Sequence, residues 1–217
     1  MKRLLNVCVL FVCGLAGTMP AWGAGAADRE LGVQVAMIAG DARMLADPAA
    51  APARREALSA RIRSSLGSLN MSARRAAEAE GRANPDLATT IRVLRALLAA
   101  GDFAALSRQA NQLAAAYPFD ASYFEPLAVT PARLETGRSI YRQYCLGCHY
   151  SPDPGDGNAA PDLFYMARTV PRKEFFARLL GGIYGDRTTS LENPFTDEEL
   201  ASLAAYFLNG DSAAAAH

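Results

Sequence analysis

The chain has 217 residues, of which 51% are hydrophobic and 20% are charged, with 22 basic and 22 acidic side chains. This even balance excludes the basic surface that a nucleic-acid-binding protein presents. The length exceeds what one small domain needs, and two domains are the natural expectation.

The first 26 residues have the features of a secretory signal peptide. Two basic residues precede an apolar stretch at residues 4–15, and the run Ala24-Gly25-Ala26 fits the small-residue cleavage pattern. An uncleaved anchor is the alternative, but the apolar run is shorter than the roughly 20 residues that span a bilayer. We therefore predict cleavage after Ala26, a periplasmic mature protein and no transmembrane segment beyond the leader.

Residues 28–126 are predicted to form an all-α domain, a bundle of four or five helices. Asp28 is expected to cap the first helix, a second helix follows Pro52, and residues 72–80 are expected to form a separate short helix that ends at Gly81. The clearest buried stripe is Leu87, Ile91, Leu94 and Leu98. Asn84-Pro85 is expected to begin the helix that carries this stripe, Gly101 to end it, and Asp102 to begin the next helix. The sequence of the bundle therefore predicts a helical domain but does not indicate its function.

The bundle contains no histidine and, once the leader is removed, no cysteine. Its methionines, Met37, Met44 and Met71, are its only soft metal ligands, and we expect them to fill the core. The segment 118–131 is rich in aromatic residues and proline and is predicted to be a packed connector. We place the domain boundary near residue 127.

A single short motif carries the chemistry of the chain, namely Cys145-Leu146-Gly147-Cys148-His149. Two cysteines at this spacing can each add across one vinyl group of a haem, and the histidine that follows can ligate its iron. A thioredoxin-like pair would need a βαβ setting, and a structural zinc site needs about four ligands. The mature chain offers only these two cysteines and one further histidine, so we predict one covalent haem c.

The helices around this motif have clear start signals. Thr130 and Pro131 form a cap and first-turn pair, and Thr196 with Glu199 forms a capping box for the last helix. A third helix begins after Pro171, and residues 151–162 are predicted to be a loop. We expect three helices around one prosthetic group.

On these residues, the segment 130–210 resembles a class I c-type cytochrome, the monohaem domain of bacterial electron carriers. The features that carry the resemblance are Gly137 and Tyr141 ahead of the haem motif, Pro161 and Leu163 in the loop after it, and the terminal helix at residues 196–207. The resemblance implies that the first and last helices cross closely at Gly137. It also implies that the Pro161 carbonyl orients His149. It covers a little over a third of the chain and leaves the bundle unexplained.

The sixth position of the iron is left open by the sequence. The family supplies a methionine in the loop before the last helix, and residues 188–194 contain none. Met166 is the one methionine after His149 and is a candidate sixth ligand. The alternatives are a methionine of the bundle and an open or water-bound position. Arg142, Tyr165 and Arg168, with Arg138, are candidates to anchor the haem propionates.

The sequence therefore favours a periplasmic monohaem cytochrome that passes single electrons between redox proteins, and it is not predicted to be an enzyme. Two alternatives stay open: a sensor or gas-binding protein with a labile sixth site, and the cytochrome subunit of a dehydrogenase. In the favoured electron carrier, the bundle would serve for docking, for self-association or for shielding the haem. In a dehydrogenase, it would be the interface with the other subunit.

Overall fold

A computed structural model describes residues 22–81, 83, 87–149, 160–181 and 195–210. The described residues form helices and connecting turns without a β-strand, which confirms the all-α prediction. The N-terminal half consists of four helices: α1 (Trp22–Leu45), α2 (Pro52–Ala79), α3 (Ala88–Ala100) and α4 (Phe103–Ala116). Helix α1 packs against both α2 and α4, and α3 bridges α2 and α4 to complete the bundle.

The bundle core is built from the periodic apolar positions of its helices. Leu94 is fully buried, and its stripe neighbours Leu87, Ile91 and Leu98 are at most 8% exposed. Gly101 ends α3 in the left-handed conformation (φ 72°), and the Asp102 carboxylate accepts a hydrogen bond from the Ala105 amide to begin α4. The stripe and both boundary signals are confirmed. The predicted cap at Asn84-Pro85 lies outside the described residues.

The prediction of a separate helix at residues 72–80 is wrong. Helix α2 runs unbroken from Pro52 to Ala79, because its apolar stripe continues through Leu66, Leu69 and Ala73 without a proline to interrupt it. Met71 is also not a core residue, since 58% of its surface is exposed on the outer face of α2. Met37 is buried, and Met44 is partly buried, as expected.

Helix α1 begins earlier than predicted. It starts at Trp22, six residues before the expected cap at Asp28. The sequence between them is rich in alanine, which has the highest helix propensity and gives no stop signal. Among the described residues, no helix is both long enough and apolar enough to cross a bilayer.

The C-terminal half is also helical. It contains α5 (Pro131–Ile140), a wide π-helical turn (Tyr141–Cys145), α6 (Leu146–His149), α7 (Leu163–Thr169), α8 (Arg172–Leu180) and α9 (Asp197–Asn209). The capping box at Thr196 and Glu199 is present in full, with both reciprocal hydrogen bonds. Helix α7 was missed, so the expectation of three helices is wrong.

The two halves are joined by shared packing. A second buried cluster contains residues of the C-terminal half together with Val33 and Met37 from α1. The connector adds Phe119 and Phe124 to the same cluster, which confirms that this segment is packed. The connector therefore belongs to the core of the C-terminal half, although it precedes the boundary expected near residue 127.

Helices α5 and α9 cross at Gly137, as the resemblance implied. A methyl group on Gly137 would lie 2.6 Å from Cβ of Tyr206 and closer still to the carbonyl oxygen of Ser202. Contacts this short with backbone atoms cannot be relieved by a side-chain rotation. Only glycine permits this approach of the two helices.

We predict that Gly137→Ala lowers the free energy of unfolding by about 1–3 kcal/mol, because the added methyl forces α5 and α9 apart. Gly67→Ala is the matched control, since a methyl at Gly67 in α2 meets no atom within 4 Å. Removing a helical glycine there should raise stability by about 0.5–1 kcal/mol. Denaturant unfolding of both variants measures the difference, and equal effects would contradict the crossing geometry.

Candidate haem site

The three residues of the predicted haem motif share one side of a continuous helical turn. Cys148 is three residues and His149 four residues after Cys145, and the backbone is helical throughout. Residues at these separations lie on the same helix face. The chain therefore presents two thiols and one imidazole to the same region of space.

The preceding backbone turn is unusually wide. The Leu146 amide donates to the carbonyl of Tyr141, five residues back, so the helix widens just before the motif. π-type turns of this kind occur frequently at functional sites. Because the widening adds a residue to the turn, it changes the direction in which Cys145 and the residues after it point relative to α5.

The imidazole of His149 is held by the loop that follows the motif. Its Nδ1 lies 2.6 Å from the carbonyl oxygen of Pro161, so Nδ1–H donates to that oxygen. In the neutral ring this leaves the lone pair on Nε2, the nitrogen that would bind a metal. The contact between His149 and Pro161 that the resemblance implied is thus present, and it fixes both tautomer and ring direction.

Asp162 stabilises the backbone that carries this carbonyl. Its carboxylate accepts from the amides of Phe164 (2.8 Å) and Tyr165 (3.2 Å) and so caps α7. The Pro161 carbonyl that accepts from His149 is therefore followed directly by Asp162, the residue that caps α7. An aspartate ahead of an apolar stretch is a signal for this helix start in the sequence, but the predicted loop at residues 151–162 ends at Asp162 and no helix is predicted directly after it.

The two cysteines differ in environment. Cys145 is buried, with 7% of its surface exposed, whereas Cys148 is exposed. Burial, with a smaller contribution from Cys148, raises the pKa of the Cys145 thiol to about 11. Cys145 is therefore the inner of the two thiols, and Cys148 is the outer one.

Aromatic rings back the motif turn. Tyr141 contacts Phe164 edge-on at 5.3 Å and Phe207 edge-on at 5.6 Å, and it also contacts Tyr206. Burial, followed by the nearby Asp162, raises the pKa of Tyr141, and burial also raises the pKa of Tyr206. Both phenols thus stay neutral. The turn therefore rests on a wall of buried aromatic rings.

The remaining candidate residues lie at different places. Met166 is 8% exposed and belongs to the same buried cluster as Cys145. Arg142 and Tyr165 are exposed, with 62% of the Tyr165 surface open. Arg168 donates to the carbonyl of Gly210 at 3.3 Å and so ties α7 to the end of α9, a contact that sequence reasoning did not anticipate. Arg138 lies 4.0 Å from Glu135 on the exposed side of α5.

Comparison with known proteins agrees with this geometry. Residues 132–207 match the family model for cytochrome c oxidase, cbb3-type, subunit III. This segment is a c-type cytochrome domain. No curated protein and no solved structure matches the chain. The matched segment begins in α5 and ends in α9, so it contains the motif, the Pro161 contact and the helix crossing.

We predict that Asp162→Ala lowers the free energy of unfolding by about 1 kcal/mol, because the amides of Phe164 and Tyr165 lose their acceptor. Asp162→Asn should cost little, since asparagine caps helices as well as aspartate does. Chemical denaturation of the two variants tests this. If both variants lost the same stability, the side chain would be acting through its charge and not through the cap.

Proposed function

We propose that this protein is a periplasmic monohaem c-type cytochrome that passes single electrons between redox proteins. The observation that carries the proposal is the arrangement of Cys145, Cys148 and His149 on one helical face, with His149 held by Pro161. The cytochrome c domain at residues 132–207 supports it independently. The periplasmic location rests on the leader-like residues 1–26.

The chain's residues fit haem c. Cys145 and Cys148 would form the two thioether links, and Nε2 of His149 would ligate the iron. When bound, the haem supplies one reversible electron through the ferric and ferrous states of its iron. One attachment motif is present in the sequence, and we therefore propose one haem.

The protein's own contribution is to orient the ligand and to keep water out. The hydrogen bond from Nδ1 of His149 to the Pro161 carbonyl makes the imidazole a stronger donor, which favours the oxidised state of a bound iron. The wall formed by Tyr141, Phe164 and Phe207 keeps the inner side of the turn dry, which strengthens electrostatic effects there. Arg142, Tyr165 and Arg168 remain candidates for the propionates.

We propose Met166 as the sixth ligand, with an open or water-bound position as the alternative. Met166 is the only methionine after His149 and is buried with Cys145. A thioether ligand keeps the iron six-coordinate and raises its potential, which suits electron transfer. An open position would instead suit a protein that binds a small gas.

A second candidate function is that of an electron-transfer subunit in a larger oxidoreductase. The observation that favours it is the name of the matching family, which describes a subunit of an oxidase. The match covers residues 132–207 only, so the bundle would be the part available to meet other subunits. Co-purification of a catalytic chain with the tagged protein would favour this role over that of a free carrier.

We predict that the reduced wild-type protein has sharp c-type absorption bands that carbon monoxide does not alter. Met166→Ala should open the sixth position, so that CO then shifts the Soret band. Met71→Ala is the control, because Met71 lies on α2 in the bundle with 58% of its surface exposed. Absorption spectra with and without CO distinguish a Met166-ligated iron from an open sixth position. A CO response in the wild type would show that the open-site alternative is correct.

A further inference from the structure

The interface between the bundle and the cytochrome domain contains buried charges. Asp41 on α1 is 2% exposed, and Glu174 on α8 is 7% exposed. Buried carboxylates are costly unless each is paired and hydrogen-bonded. Both of these are paired, and in each case one partner comes from the other half of the chain.

Arg178 on α8 joins the two carboxylates. Its Nη2 donates to Oδ1 of Asp41 at 2.9 Å and to Oε1 of Glu174 at 2.8 Å, and its Nε donates to the same Glu174 oxygen at 3.0 Å. Burial acts to lower the pKa of Arg178, but Asp41 and Glu174 more than offset it and raise the pKa above its ordinary value. Arg178 therefore stays charged at the centre of the interface.

Two further arginines of the bundle complete the set. Arg61 on α2 donates from Nε and Nη2 to the two oxygens of Asp41. Arg43 on α1 donates to Oε2 of Glu174 at 3.0 Å. We call these five residues the charge clamp: Asp41, Arg43, Arg61, Glu174 and Arg178. Asp41 bridges α2 to α8, and Glu174 bridges α1 to Arg178.

The backbone at this interface is shaped for close contact. A methyl group on Gly40 would lie 2.8 Å from Nη2 of Arg178 and would overlap the carboxylate of Glu174. A methyl on Gly32 would lie 2.9 Å from Cα of Phe119 in the connector. Helix α1 thus has no side chain at two places where it is closely approached, by the connector at Gly32 and by α8 at Gly40.

Apolar contacts continue the same interface. Met37 lies on α1 between Gly32 and Gly40, and its side chain packs against Gly181 at the end of α8. Met37 and Val33 are both buried in the cluster that contains Phe175 and Phe176 of α8. Separating the halves would expose these side chains and leave Arg178 without a bundle carboxylate. Removing one partner from a buried ionic group is strongly unfavourable.

We propose that the bundle is a fixed intramolecular partner of the cytochrome domain, held by the charge clamp, and is not a hinged module. Because the bundle is bound to α8, it covers one face of the cytochrome domain permanently. A redox partner must therefore approach another face. This inference concerns the protein interface alone and does not require that haem be attached.

Cleavage of the connector in the folded, full-length protein tests this proposal. A protease site is inserted between Ala128 and Val129, both of which are exposed, and the purified protein is cut there. We expect the two fragments to co-elute in size-exclusion chromatography at micromolar concentration. They should also do so in high salt, since buried pairs are screened little. Fragments of the cut wild type that separate would overturn the proposal.

Variants of the clamp then measure its contribution. Arg178→Met should weaken the association of the cut fragments by roughly a hundredfold, because Asp41 and Glu174 lose their shared partner. Glu174→Gln keeps the shape of the side chain and should weaken association in the same direction. Arg75→Met is the matched control, since Arg75 pairs with Glu30 at 2.9 Å on the exposed surface within the bundle.

The outcomes separate this proposal from the haem assignment. If Arg178→Met behaved like Arg75→Met, the clamp would not hold the halves together. Haem staining of the denatured fragments reports independently on covalent attachment, which should mark the C-terminal fragment alone. An unstained fragment that still co-elutes would reject the haem proposal and leave the interface intact.

Discussion

The crossing of α5 and α9 at Gly137 is the contact on which the haem-binding half depends. Helix α5 leads directly into the motif turn, so its position determines where Cys145 and His149 lie. Helix α9 can approach α5 only because Gly137 has no side chain in the way of Ser202 and Tyr206. The same approach places Tyr206 and Phe207 against Tyr141, four residues before Cys145.

A chain of aromatic contacts connects the crossing of α5 and α9 to the connector. Phe207 contacts Phe175 edge-on at 6.1 Å, Phe175 contacts Phe176, and Phe176 stacks on Phe124 of the connector at 4.6 Å. Rings at these separations and angles interact favourably and resist rearrangement. The motif turn is thus packed continuously to α8, and α8 in turn meets the bundle through Met37 and the charged residues of α1. The bundle and the motif belong to one packed structure.

The features that could be predicted from the sequence are local ones. The capping box at Thr196 and Glu199, the start at Thr130 and the stripe through Leu94 each depend on residues a few positions apart. Helix α7 was missed because Asp162 was assigned to the preceding loop, and α2 was divided because its alanine-rich end was read as a separate unit. The first error omits a short helix and the second misplaces a boundary, and neither changes the helical class.

The interface could not be predicted, because its partners are remote in sequence. Asp41 and Arg178 are separated by 137 positions, and each alone resembles an ordinary charged surface residue. The contact between His149 and Pro161 could be predicted only from the resemblance to class I c-type cytochromes. The neighbouring role of Arg168, which donates to the Gly210 carbonyl, required the position of α9 and had no signal in the sequence.

The proposed function requires that a single iron porphyrin be linked to this chain through Cys145 and Cys148. Intact-mass spectrometry of the denatured, exported protein measures this link most directly. We predict the mass of the polypeptide beginning at Ala27 plus that of one haem, and loss of that added mass in the double variant Cys145→Ser and Cys148→Ser. A wild-type mass equal to the polypeptide alone would contradict the assignment of this protein as a c-type cytochrome.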